Sequence, residues 1–532
     1  MNYLSSIPLK IEDWQYMNEG NGNIVLEYCG LFHEDLNGTV LRLKKQKITN
    51  KIIKTEKENE SLIEKELTNY KFYSNVLSPL FNNKFIYPGL LLAMNENFLT
   101  QIEKKISKQR PKFRRETTQI NLKTNYNIVQ PNHSIFPKIS EENYKSCLSI
   151  ELKPKCGFIP NSPFIDKNNQ FKKQFSRYFL HQRLKKKKGE IEEISLYDPI
   201  DLFSNDKNQI FHAMDCLLNN PQNNLKIFLD SQLIFGGIRS QEQEGDEKTE
   251  LRKLLMDQNH LQTQLKNIFN KEKQNIQSLK EIITQIILKT KVLDNILNLQ
   301  KLDNLDIEGI YQIYQNLNNS KIEIPSWKKI CDNQPFLESI LQNIKKPKIE
   351  NEENLLKFKL EDLSKEESIM KIIEFLISSS VKDCSVMITI QEVEKKDKIE
   401  ENSIIKDENS GKFFQFKIAI IDLDPRSAEK IITAVEETKE QGKKQKLDRQ
   451  ARKERFEKRK QMHQEKNPKI LEQNPPDPRN PTNPRRPHPN PQNPDLSRIP
   501  EDKLREIQAE LQERMKHEKF NPQRRRKEKN DL

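Results

Sequence analysis

The sequence predicts an α+β fold followed by a long basic tail that stays outside it. Three observations carry this expectation. Short apolar runs of strand character at Ile24–Tyr28, Val40–Leu43, 383–390 and 412–424 alternate with helical periodicity, sustained from Ser240 to Leu299. Hydrophobic residues make up 34% of the 532 residues against 32% charged, too small an apolar share for the whole chain to pack. Past residue 434 the composition shifts to charge, Gln, Asn and Pro.

Each element follows in order. Gly/Asn turns precede the strands Ile24–Tyr28 and Val40–Leu43. Glu60–Leu77 reads as a helix closed by Pro79, which cannot donate to a continuing helix. The run KSCLSIELK at 145–153 reads as a strand, 171–188 as a cation-rich helix and Phe211–Leu218 as a helix. Between 240 and 299, Leu251, Leu254, Leu261, Leu265, Ile282 and Ile286 recur at helical spacing without sustained heptads, so packed helices are expected rather than a coiled coil. The stretches 383–390 and 412–424 are the clearest strands, with 392–411 a charged loop between them. The expected division is a first unit over 1–135 carrying a Gly/Asn-rich turn, a second over 136–434 containing the helical 240–299, and a disordered basic tail over 435–532.

The charge is lopsided. Residues 435–532 hold 27 Lys and Arg against 18 Asp and Glu, so +9 of the net +13 belongs to the tail and +4 to the body. Eleven prolines between 468 and 500 read as an extended linker. Phe456 and Phe520 are the tail's only aromatics, which leaves base stacking poorly served; weak electrostatic attachment to nucleic acid or acidic partners is what its charge allows. The six cysteines form no CxxC pair, which fits a reducing compartment. The N-terminus has no secretory pattern, and no apolar run reaches the roughly 18 residues of a membrane span. A soluble, monomeric protein of the cytoplasm or nucleus is expected, with Lys186–Lys188 either a solvated helix end or a nuclear import signal.

Four constellations bear chemistry. Glu19-Gly20-Asn21-Gly22-Asn23 lets backbone amides approach a phosphate, and Arg42 follows on a strand; alone, this is an ordinary turn and a surface cation. Glu151-Leu152-Lys153-Pro154-Lys155 sets two ammonium groups two residues apart, hence on one side of a strand. Their repulsion asks for an anion, although a solvated pair is the plainer reading until the apolar residues on both sides are counted. His181 and Lys185 share a helix face. Asp422 and Asp424 share the parity of Phe414, Phe416, Ile418 and Ile420, so two carboxylates are expected at the end of a buried strand face, where a metal or cations must hold them. Asp383 opens another apolar strand. His260, Cys331 and Cys384 match no closed zinc site.

These segments resemble the inositol-pentakisphosphate 2-kinases. ELKPKCGFIP (151–160) is similar to that family's ExKPK signature. WQYMNEGNGN (14–23), RYFLHQRLK (177–185), YDPIDLFS (197–204), PQNNLKIF (221–228), LDIEGIY (305–311), VKDCSVMI (381–388) and IIDLD (420–424) follow in the family's order. The resemblance implies a two-lobed inositol phosphate kinase fold, distantly related to protein kinases. It implies transfer of the ATP γ-phosphate, with Mg²⁺, to the 2-hydroxyl of inositol 1,3,4,5,6-pentakisphosphate. By position it makes Gly20, Asn21, Gly22 and Asn23 the nucleotide loop, Arg42 its phosphate contact, Glu151 and Lys226 nucleotide-side residues, and Lys153 the catalytic cation nearest the transferring phosphate. Lys155, Lys185, Asn223, Arg426, Lys430 and Arg114 become the substrate cage. Asp383 becomes the residue that orients and deprotonates the hydroxyl, and Asp422 the Mg²⁺ ligand. A catalytically weak sensor or scaffold acting through the tail is the alternative.

The chain departs from the pattern in places. Asn18 stands where the family often has Gly, Lys226 where some members have Arg, and Arg426 and Lys430 exchange cation type. The zinc ligands of some members are missing, and 435–532 resembles nothing in the family.

Overall fold

The computed structural model describes residues 10–438, except 21, 32, 49–55, 124–125, 138–144, 238–253, 270–273, 347–358, 395–399 and 437. Two six-stranded antiparallel sheets organise it, so the α+β expectation holds.

The first sheet contains β1 (Trp14–Glu19), β2 (Asn23–Tyr28), β3 (Thr39–Lys47), β4 (Leu90–Ala93), β5 (Thr118–Ile120) and β6 (Tyr126–Pro131). Its order is β1-β2-β3-β6-β4, with β5 added along β3. Alternating residues Ile24, Leu26, Leu41 and Leu43 point to one face and bury against Leu99 and Ile102. Those two come from the helix Glu96–Ile106, which starts where the Asn95 side chain accepts from Phe98 N–H at 2.8 Å.

The second sheet contains β7 (Cys147–Leu152), β8 (Leu225–Leu229), β9 (Gln232–Gly236), β10 (Ser385–Val393), β11 (Ile404–Lys406) and β12 (Phe413–Ile421), in the order β11-β12-β10-β7-β8-β9. β7 is buried along its whole length, and β10 lies between β12 and β7. Register then does the positioning. Ser385 pairs Ile421, Val386 pairs Leu152, and Leu152 pairs Leu225. The end of β7, the starts of β8 and β10, and the end of β12 therefore share one end of the sheet, and four loops leave from there. The helix Lys365–Val381, opened by a reciprocal Ser364/Glu367 cap, feeds β10 and packs on the helices Val292–Gln300 and Asp306–Asn319.

Several expected elements are redrawn. The helix expected at 60–77 starts at Glu56, widens into a π-helical turn over Phe72–Leu77 and ends at Leu80. Pro79 thus sits at the start of a short new turn, where its missing N–H costs little. The helix expected at 171–188 is two pieces, a 3₁₀ stretch Lys167–Lys173 and an α-helix Arg177–Lys187, because Ser176 caps the second by accepting from Phe179 N–H. The expected loop 392–411 contains β11, whose Ile405 is buried opposite Phe414. Of the helical run 240–299, residues 240–253 and 270–273 lie outside the described residues; the rest forms helices including Asn275–Thr290 and Val292–Gln300, broken at Lys291, whose φ is +55°. The expected linker and helices of the tail, from 439 on, also lie outside them.

Candidate active site

The β1–β2 turn is built on buried charge. Arg110, 2% exposed, donates to both oxygens of Glu19 at 3.0 Å and to Glu103 at 2.9 Å. Burial alone would raise the Glu19 carboxyl, but hydrogen bonds from Arg110 and Lys45 hold it below its ordinary range. Above Glu19, Gly20 N–H donates to the Asn23 carbonyl and Lys45 N–H to the Gly22 carbonyl, each at 2.9 Å. The Gly20 carbonyl accepts from Lys45 Nζ and Arg114 Nη1, also at 2.9 Å. Arg114, expected in the substrate cage, thus stands on this turn. Asn21 lies outside the described residues. Arg42 is half-buried on β3, opposite Val25 and Ile128.

The sheet end brings the other motifs together. Lys153 Nζ donates to Asp422 Oδ2 at 2.8 Å. Lys155 Nζ donates to Asp383 Oδ1 at 3.0 Å, and Arg426 Nη2 to Asp383 Oδ2 at 3.1 Å. Lys226 faces Glu151 across β7 and β8 and donates to it at 2.8 Å. The Ser385 hydroxyl stands 3.1 Å from Asp422 Oδ2 and 3.3 Å from Glu151 Oε1, joining the two pairs.

The expected geometry is corrected in two places. β7 ends at Leu152, and Lys155 has φ +62°, so Lys153 and Lys155 are not strand neighbours projecting in parallel; they diverge to different carboxylates. β12 ends at Ile421 and Asp422 has φ +61°, so the chain turns there and Asp424 does not share the face of Asp422. The Asp424 carbonyl instead accepts from the Ser380 hydroxyl at 2.9 Å. Left-handed backbone at a non-glycine residue costs roughly 1–2 kcal/mol. Neighbours hold each case: Leu423 N–H donates to Tyr73 Oη at 2.8 Å, and Gln300 and Tyr197 grip the loop at Lys155.

A cavity of about 400 Å³ opens beside these pairs, lined by Lys155, Asp383, Arg426, Lys430, Arg177 and His181 among others. Lys172 and Lys382 also line it, each pinned to a carboxylate, Asp306 and Asp303 respectively. Arg177 and Lys382 lie inside the quoted motifs and Lys172 in the cation-rich 171–188, but none is singled out by sequence, because cations at helix ends carry no spacing signal. Lys185 lies one helical turn beyond His181. Asn223 lies in the turn before β8, next to Asn224, whose carbonyl accepts Lys153 N–H at 2.8 Å.

Electrostatics follow from this packing. Burial would raise the Asp383 carboxyl, but Lys155, Lys153 and Arg426 outweigh it and hold it below its ordinary range. Asp422 is likewise raised by burial and lowered, on balance, by Lys153, Ser385 and Arg42. Arg42 on the first sheet therefore acts on a carboxylate of the second. The His181 imidazole is pushed down to about 4, by desolvation against the cavity walls and then by Lys185, Arg177 and Lys155. Among the described residues no three His, Cys, Asp or Glu side chains gather as a metal site. Asp422, its side chain half-exposed, suits a Mg²⁺ ion held by one carboxylate plus phosphate oxygens.

Residues 16–440 match the inositol-pentakisphosphate 2-kinase family. The chain belongs to that family. The inositol-pentakisphosphate 2-kinase of Arabidopsis thaliana is 32% identical over 434 residues, covering 77% of this chain and 88% of its own. The IPK1 inositol-pentakisphosphate 2-kinase of Oryza sativa subsp. japonica is 28% identical over 437 residues, covering 79% and 90%. That of Danio rerio is 27% identical over 468 residues, covering 79% and 90%. The chain is thus a kinase with inositol phosphate chemistry, and the family match runs to 440, six residues into the stretch expected to resemble nothing in the family. No helix among the described residues is long and apolar enough to cross a membrane.

Proposed function

We propose that the chain transfers the γ-phosphate of ATP to the 2-hydroxyl of inositol 1,3,4,5,6-pentakisphosphate, giving inositol hexakisphosphate and ADP, within a two-lobed, distantly protein-kinase-like fold. The observation that carries this reading is the meeting of Lys153–Asp422 and Lys155–Asp383–Arg426 at one sheet end beside a cationic cavity. A body of net charge only +4 that sets six Lys and Arg side chains against three Asp around one cavity offers the local positive charge a five-phosphate substrate requires.

The division of labour follows from position. The Gly20–Asn23 turn and Arg42 hold the nucleotide phosphates, with Glu151 and Lys226 nearby. Lys153 neutralises the transferring phosphate. Lys155, Arg426, Lys430, Lys185 and Asn223 hold the substrate's phosphates. Asp422 would hold Mg²⁺, which when bound neutralises charge on the phosphates. Arg114, tied to the Gly20 carbonyl, links the nucleotide turn to the substrate.

The 2-hydroxyl oxygen attacks the γ-phosphorus, the bond to the ADP oxygen breaks, and the hydroxyl proton passes to Asp383. Lys155 and Arg426 both donate to Asp383. Substrate phosphates compete for those two cations, and as they draw them away the carboxylate regains basicity. Proton acceptance late in a loose transition state suits a base of this kind.

The test is to incubate the chain with Mg-ATP and the pentakisphosphate, measure ADP release, and locate the new phosphate by ³¹P NMR. Transfer to position 2 supports the reading. Transfer elsewhere contradicts it, and tight binding without turnover supports the sensor.

A further inference from the structure

Lys155 holds Asp383 from a backbone conformation that most residues avoid, so something outside the motif must keep it there. Its φ is +62°, and its carbonyl turns inward rather than continuing β7. The only side chain that grips this residue's backbone among the described hydrogen bonds is Gln300, 145 positions away. Gln300 Nε2 donates to the Lys155 carbonyl at 2.7 Å, and Gln300 Oε1 accepts Gly157 N–H at 2.8 Å. One amide thus clamps the chain on both sides of Cys156. The clamp is itself fixed. Gln300 is fully buried at the end of the helix Val292–Gln300, and its carbonyl accepts from the Ser378 hydroxyl on the helix that leads to Asp383.

The chemistry requires an amide. The Lys155 carbonyl needs a donor and Gly157 N–H an acceptor, and the second of these bonds is fully buried. A carboxylate would offer acceptors to both, and an aliphatic side chain would satisfy neither. Because Ser378 and Asp383 belong to the same helix–turn unit, the clamp also ties the lysine's loop to the carboxylate it serves.

We infer that Gln300 is a positioning residue for substrate binding, holding Lys155 in the left-handed conformation that aims its ammonium at Asp383 and the cavity. This rests on the proposed function, since it assigns a task to Lys155. Gln300 touches no reacting atom and acts through the loop that carries Lys155.

The experiment is calorimetric titration of pentakisphosphate, together with ADP-release kinetics, on the wild type, Gln300→Leu, Gln300→Glu, Lys155→Met and the Lys155→Met/Gln300→Leu double variant. Gln300→Leu is expected to weaken pentakisphosphate binding roughly tenfold, the effect of stranding the buried Gly157 N–H and releasing the Lys155 carbonyl, with KM for ATP unchanged within about twofold. In the Lys155→Met background the same change should add less than about twofold, since coupled residues are not additive. Should Gln300→Leu not fold, Gln300→Glu carries the test. Its affinity relative to wild type should recover as pH falls and the buried carboxyl regains a proton to donate.

Equal losses for both substrates, fully multiplicative effects in the double variant, or no acid recovery of Gln300→Glu would overturn the inference. Wild-type binding without turnover would remove the kinase reading and leave this comparison standing. Absence of wild-type binding would remove both.

Discussion

Lys153 and Asp422 stand 269 positions apart in the chain and 2.8 Å apart in space. Nothing local brings them together; the antiparallel register of β7, β10 and β12 does. The Asp422 side chain is 46% exposed, so the pair adds little to stability. On the proposed function its use is catalytic: a fixed cation there would neutralise charge that develops on the transferring phosphate. Lys153→Met is expected to lower kcat by about 10²–10³. The melting temperature should move by less than about 2 °C, as for a surface ion pair. Steady-state ADP release and thermal unfolding check the two halves. A large loss of stability with kcat preserved would reverse the assignment.

Gly157 tests the tightness of the signature loop. A Cβ built on it would lie 2.4 Å from the Phe203 ring, whereas one on Gly22 would meet nothing within 4 Å. Gly157→Ala should cost about 1–3 kcal/mol by overpacking. Gly22→Ala should stay within about 0.5 kcal/mol of wild type. Urea midpoints measure both, and equal midpoints would show that the loop relaxes freely around Phe203.

The stability of the connection after β6 should depend on acidity. His133 packs beside Tyr87, and its carbonyl accepts from Thr389 on β10. Burial, then Lys417 and Arg42, push its imidazole down to about 3. Unfolded, the group titrates near its ordinary value of about 6.5. Between those values the unfolded chain takes a proton that the folded one declines. The stability this histidine contributes is therefore full above about 6.5 and is lost as pH falls toward 3. At pH 5 the loss is about 2 kcal/mol. His133→Gln should lose correspondingly less between pH 7 and pH 5 in urea unfolding. Identical losses would place His133 outside the acid response.

Strands with strong alternation or continuous apolar character were legible from sequence. β2, β3, β7, β10 and β12 lie within a few residues of the expected runs. β5 and β11, three residues each, gave no periodic signal, and β9, though longer, is formed by pairing with β8. The helix Lys365–Val381 carries no clear sequence signal because every residue from Ile372 to Ser378 is buried, which blurs the 3.6-residue period. At the site, Lys153, Lys155, Asp383 and Asp422 were visible through their motifs. Their pairing was not, because it depends on left-handed backbone at Lys155 and Asp422 that residue identity does not announce. Gln300 and Ser385 were invisible, since a buried amide and a serine become informative only once their partners are known. The body also runs past residue 434, as Val435 is buried in the second core and Thr438 lines the cavity.

The central claim is that Asp383 serves the acceptor hydroxyl inside a phosphate-binding cavity. Comparing Asp383→Asn with the wild type on the pentakisphosphate, by ADP release and by calorimetric affinity, tests it most directly. The account predicts a fall in kcat of at least about 10², the range of a lost general base, with affinity equal or tighter because one negative charge has left the cationic cavity. Wild-type turnover by the variant, or loss of binding in place of loss of rate, would contradict it.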